Sequence, residues 1–258
     1  MWGALVLAVS LWVRQRSVAL GLLVLIWLLV ALVVPRIGIN AASAAIDAPG
    51  KIESDLVMLA EQRKLGDSHN ASDPAFEALK KQVLDQYEAQ SIEELPVNWR
   101  GVVAGYSEQK LTDLMNDYAG RRMQAEAAQS RIVTWFGLVS PTLAVSAASR
   151  TLAGTDLATH HRFLRQSEAL RFDFVQGLNQ LHSTALAYAD DAARTKDPEA
   201  EARTRINAAS WRLLDTFRLA PDPPGVRAAR AALPVLWLFG WLGLLGGVIV
   251  IGARRLAP

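Results

Sequence analysis

The chain has 258 residues, 51 % hydrophobic and 20 % charged, with a formal net charge of +2 and no cysteine. The missing cysteines exclude a disulfide framework, a thiolate metal site and a cysteine nucleophile. A basic pI near 9.0 does not point to nucleic acid, because no basic stripe with interleaved aromatics occurs.

All 25 acidic residues fall between two uncharged apolar stretches, 17–34 and 233–252, and that distribution is the pattern of a membrane protein. Residues 1–13 are apolar too but too few to span, and Arg14 and Arg16 follow them instead of preceding them, unlike a signal peptide. The expectation is the second half of a transmembrane helix, so that the natural start lies upstream of Met1, or else a short interfacial anchor. Residues 17–34 form the first full span and residues 233–252 the last, since a hydrocarbon core of roughly 30 Å needs about 20 apolar helical residues. The fold class that follows is an all-α membrane protein: two full transmembrane helices and an N-terminal half-span flanking a large external helical domain, 36–232.

Orientation rests on the arginines beside the spans. Arg14, Arg16, Arg254 and Arg255 stand free of acids, which places both outer flanks in the cytoplasm and residues 36–232 outside. Arg36, Arg227 and Arg230, near the external ends, narrow that bias to four against three.

Within 36–232 no alternation argues for a sheet. Pro49-Gly50 opens a helix with an apolar stripe of Ile52, Leu56, Leu59 and Ala60, ended by the loop 66–72. Asp73-Pro74 reads as an N-cap with proline at the first helical position, before the stripe Phe76, Leu79, Val83, Leu84 and Tyr87. Ser91 and Glu94 fit a capping box that Pro96 cuts to one turn. A long helix follows over 102–131, with Leu111, Leu114, Met115, Tyr118 and Met123 on its apolar side. Residues 132–148 are uncharged but diluted by small and polar residues, and read as an interfacial or re-entrant helix or as a buried core helix. Asp197-Pro198 starts a helix through Ile206, Trp211, Leu214 and Phe217, and Pro221-Asp222-Pro223-Pro224-Gly225 turns the chain into the last span.

Chemistry-bearing patterns are few. Asp156 and His160, at i and i+4, with His161 and Glu168 have metal-ligand spacing, but a helix cap at Thr155 or Asp156 explains the same residues, and Phe163, Leu170, Phe174, Leu178 and Leu181 behind them read as core packing. No nucleophile elbow, zinc-protease pair or phosphate-cradling loop occurs, so no catalytic, cofactor-binding or metal-binding residue is assigned and no enzyme is expected. Gly243 and Gly247 in the last span form a small-x-x-x-small pair that favours a helix partner, and Trp237 and Trp241 read as interfacial anchors.

Trp12-Val13-Arg14 before the first span, Pro35-Arg36 at its end, Leu95-Pro96-Val97-Asn98, Ser140-Pro141, Leu152-Ala153-Gly154-Thr155-Asp156-Leu157 and His161 with Phe163-Leu164 together resemble the permease subunits of type-2 ABC exporters, in a bacterial branch with large periplasmic insertions. The resemblance covers essentially the whole chain, corresponds to the C-terminal half of a six-span permease, and supplies no substrate residues. It implies a plasma-membrane subunit working by alternating access, with a separate cytoplasmic ABC ATPase, membrane lipid, and further permease helices or a second permease copy as partners, and no nucleic acid. An envelope scaffold or a two-span sensor is the alternative; with residues 254–258 after the last span, the sensor is the lesser expectation of the two.

Overall fold

The computed structural model of the chain describes residues 1–47, 50–205 and 217–256, and among these there is no strand. The first helices are α1 (Trp2–Trp12), α2 (Arg16–Leu28) and α3 (Val34–Ala45), the last two joined by a π turn, Leu29–Val33, into one helix. Then come α4 (Lys51–Gln62), α5 (Glu77–Tyr87), α6 (Trp99–Trp135), α7 (Pro141–Ala153), α8 (Leu157–Ala185), α9 (Tyr188–Ala193), α10 (Pro198–Arg203) and α11 (Pro224–Leu256). The fold is all-helical, and two helices, Arg16–Ala45 and α11, are long and apolar enough to cross a membrane. Only 6 % and 17 % of their most apolar stretches are buried within the protein, whereas the core helix of a soluble domain would be mostly covered.

The chain divides into two compact units, one formed by α1 to α3, residues 123–162 and the segment from Ala220 onward, the other by the stretch that ends at Arg122 and the one that starts at Phe163. In the first unit α1 lies along the end of α11. Trp12 donates its indole N–H to the Val248 carbonyl at 3.3 Å, and the Arg255 guanidinium stacks 4.2 Å from the Trp12 ring centroid. The basic ends of both long helices therefore lie at the same end of this unit.

Pro35 does not end the first long helix. A proline inside a helix has no N–H to donate and crowds the preceding turn. Here the π turn widens the ladder, so that the Val34 N–H bonds Leu29 O, and the helix continues to Ala45.

The second unit has a small core of Phe76, Val83, Trp99 and Val103, flanked by Leu79, Ile92, Leu95 and Tyr188. Asp73 caps as its sequence indicates: its carboxylate accepts the Ala75 N–H at 2.9 Å, with Pro74 next, and Asp197 does the same for Glu199. At the Ser91 turn the capping box does not form: the Ser91 side chain makes no cap bond, and Glu94 accepts the N–H of Gln90, one residue before the cap, at 2.8 Å. The helix expected after Pro49-Gly50 is α4, and its apolar stripe is largely uncovered, with Ile52 78 % and Leu56 62 % exposed. Tyr87 is exposed as well, and Pro49, Ile206, Trp211 and Leu214 lie outside the described residues.

α6 begins three residues before its expected start and runs to Trp135. Residues 132–148 are not one helix: a 3-10 turn, Phe136–Leu138, breaks them, and α7 restarts at Pro141 behind the N-cap Ser140.

Candidate functional site

Asp156, His160, His161 and Glu168 are not brought together. Asp156 caps α8, accepting the Thr159 N–H at 3.1 Å and the Thr159 hydroxyl at 2.5 Å. His160 is exposed, His161 is buried with Nε2 2.7 Å from the Glu126 carboxylate on α6, and Glu168 pairs with Arg171 at 2.7 Å. Among the described residues no group of three or more His, Asp or Glu has the arrangement of a metal site.

The structure gathers a different set, at joints between the shorter helices of the first unit and its two long apolar ones. The first joint is ionic. Asp222, in the proline turn before α11, is buried between Arg162 and Arg230; Arg230 donates to its Oδ2 at 2.6 Å and sits 3.7 Å from Asp156. A carboxylate this deep needs both cations, because an unpaired charge out of water costs several kcal/mol. Beside it Arg227 donates to the Leu152 carbonyl at 3.1 Å, at the end of α7, where Gly154 takes the left-handed conformation (φ 70°) that closes the helix.

The second joint is the break between α6 and α7. Because Val34 N–H is taken by Leu29 and position 35 is proline, the Val30 carbonyl lacks its usual helical donor. The Ser140 hydroxyl, fully buried, supplies one at 2.7 Å, while its oxygen caps α7 at Leu143 N–H. Trp241 donates its indole N–H to Leu138 O at 2.9 Å, and the Trp237 ring, tilted 5.4 Å from that of Trp135, lies over Gly137, where an added Cβ would come within 3.0 Å of it. The Phe136 ring covers Gly38 in the same way. Trp237 and Trp241, read from sequence as interfacial anchors, both contact this turn.

Ser140→Ala is therefore expected to cost about 1–3 kcal/mol, since it leaves one buried carbonyl without a donor and one helix without a cap. Thermal unfolding of the whole chain in detergent measures it. In a Pro35→Ala background, where an alanine N–H is restored, the same change should cost only about 1 kcal/mol, the value of the cap alone. An undiminished cost in that background would disprove the pairing of Ser140 with the proline-freed carbonyl.

The sequence marks Ser140-Pro141 and Asp156 but not their partners: Arg227 and Arg230 stand out in it only as charges beside a span, and Arg162 and Glu126 do not stand out. The signal within reach was Pro35 at the end of an apolar run, which announces a carbonyl in need of a hydroxyl.

No curated protein and no solved structure matches the chain. The family model described as a domain of unknown function, DUF3526, matches residues 55–220, well over half of its length. By that match the chain belongs to the DUF3526 family.

Proposed function

We propose that this chain is a membrane-embedded permease subunit of an ABC exporter, driven by a separate cytoplasmic ATPase, with residues 36–232 outside the plasma membrane of a bacterium. The observation that carries the reading is where the resemblance residues fall. Ser140, Leu152, Gly154 and Asp156 are not scattered over a surface; each meets a residue of one of the two long apolar helices, or lies against it. Such joints suit a subunit that passes motion of its spans to its external helices. The placement of Arg14 and Arg16 at the same end as Arg254 and Arg255, argued from the Trp12 contacts, supports a cytoplasmic position for both.

In this reading the chain does no chemistry of its own. Its exposed apolar spans need lipid and other permease helices or a second copy, and Gly243 and Gly247 leave room for one, with nothing within 4 Å of an added Cβ at either. The test is affinity purification of the chromosomally tagged protein from detergent-solubilised membranes. An ATPase bearing a phosphate-binding loop should copurify in stoichiometric amount. A preparation without any ATPase would sink the permease reading in favour of an envelope scaffold or a two-span sensor.

A further inference from the structure

Four arginines gather where α1 closes onto the end of α11. Trp12 makes the joint. Its indole N–H reaches Val248 O, and Gly252 leaves room for it, since an added Cβ there would come within 2.9 Å of the indole nitrogen and 3.1 Å of Leu11 Cβ. Arg255 lies over the same ring, 4.2 Å from its centroid, with Arg254 beside it in sequence. Arg14 and Arg16 follow Trp12 by two and four residues, at most about 7 and 14 Å of backbone.

The protein leaves these charges unanswered. All four arginines are exposed, and among the described residues Arg14, Arg16 and Arg254 have no hydrogen-bond or ion-pair partner. No Asp or Glu occurs in residues 1–46 or 223–258. Asp222 stands before the first turn of α11, a helix of 33 residues or about 50 Å, and so at its opposite end.

We infer that the four arginines hold the headgroup of one phospholipid carrying two phosphates, a diphosphatidylglycerol, with Arg14 and Arg16 on one phosphate and Arg254 and Arg255 on the other. This rests on the membrane reading above and deepens it by naming the lipid.

Phosphate is the anion that the planar N–H fork of arginine matches, two bonds at a time. Two basic pairs brought to one joint favour two phosphates tied together, because seating the first holds the second at high effective concentration. A lipid with one phosphate, or free phosphate, gains no such advantage. The acyl chains have a seat as well: Val6 and Leu7 on α1 and Val250 and Ile251 on α11, one to two turns back from the charges, are between 45 % and 59 % exposed. Trp12 is 44 % exposed between that apolar surface and the arginines, the level at which indole rings favour the membrane interface. A protein partner fits less well. Val13, Arg14 and Gln15 alone separate α1 from α2, and Arg254 and Arg255 still belong to α11, so none of the four charges stands off the bilayer on a projecting loop.

The test takes the full chain in detergent stripped of lipid and counts binding by native mass spectrometry. Tetraoleoyl diphosphatidylglycerol is compared with dioleoyl phosphatidylglycerol at equal phosphate, and with inorganic phosphate. The two-phosphate lipid should bind one to one and at least about tenfold more tightly. Arg14→Gln with Arg16→Gln, and separately Arg254→Gln with Arg255→Gln, should each abolish that preference. Arg36→Gln removes an equally exposed charge about 30 Å further along the first long helix and should leave the preference intact. Equal binding of the two lipids per phosphate, inorganic phosphate binding as tightly as the lipid, or the same loss in Arg36→Gln would reduce the arginines to surface charge and overturn the site. Double variants that keep the lipid preference but no longer copurify an ATPase would overturn it too, by assigning the arginines to the partner subunit. Those results leave the membrane reading in place; a chain recovered in the soluble fraction of lysed cells would overturn both.

Discussion

Gly101→Ala is expected to pry α6 from α8 and to cost roughly 3 kcal/mol or more, because the added methyl group would meet backbone. An ideal Cβ at position 101 would lie 2.6 Å from Ser183 Cα and 2.7 Å from the His182 carbonyl carbon. Neither atom can rotate away, so the helices must part. The parting would break the Asn98 N–H bond to Ser183 O, 2.7 Å, which closes the start of α6 onto α8. Nearby Trp99 and Val103, both fully buried, would lose the packing that centres the core of their unit. Gly120→Ala on the same helix is the control. Nothing lies within 4 Å of its added Cβ, so alanine there should gain up to about 1 kcal/mol through helix propensity alone. Urea unfolding of the two variants should shift the midpoint in opposite directions, and a tolerated alanine at 101 would refute the close approach.

The contrast shows what a sequence carries and what it withholds. Nothing local separates Gly101 from Gly120; the difference is Ser183, some eighty residues away. The charge gap that marks the two apolar helices is visible in one pass, since solvation acts on each residue by itself. Caps are equally local, which is why Asp73, Asp156 and Asp197 bind the N–H groups within reach of their own turns. Periodicity is local too, but it states only that a helix will form. The exposed Ile52 and Leu56 on α4 show that an apolar stripe does not say what covers it. Pairings such as Ser140 with Val30 and Asp222 with Arg162 depend on the chain's return to a distant place, and spacing holds no record of it.

The resemblance residues followed the same divide. Ser140-Pro141 and Leu152 to Leu157 could be recognised as a pattern, while their roles came only with their partners. Ser140 reads as an ordinary cap until the proline-freed carbonyl of Val30 is set against it.

Asp191→Ala should be the other severe loss, about 3–5 kcal/mol, and should also remove part of the protein's sensitivity to acid. The Asp191 side chain is completely buried in the second unit, where three elements converge on it. From α8 the His182 Nε2 lies 2.9 Å away; from the start of α6 Asn98 donates at 3.3 Å and Arg100 stands 3.9 Å off; from the turn after α9 Arg194 stands 3.4 Å off. Burial, the strongest single influence, pushes the carboxyl group upward, but the His182 ring, the Asn98 amide and the Arg194 guanidinium together outweigh it and hold it below the usual carboxylate range. A carboxyl depressed in the folded state stabilises that state fully above its unfolded value of about 3.9, and the contribution drains away as pH falls through that value towards the folded one. The wild-type chain should therefore lose stability steeply below about pH 4. Asp191→Asn keeps the shape and abolishes the titration, so its unfolding midpoint should start lower at neutral pH and fall less between pH 5 and pH 3. Asp191→Ala should be worse than Asp191→Asn at neutral pH, because it leaves the two arginines and the histidine facing an empty position. An acid slope that Asp191→Asn leaves unchanged would show that the carboxylate is not what ties α6, α8 and α9 together.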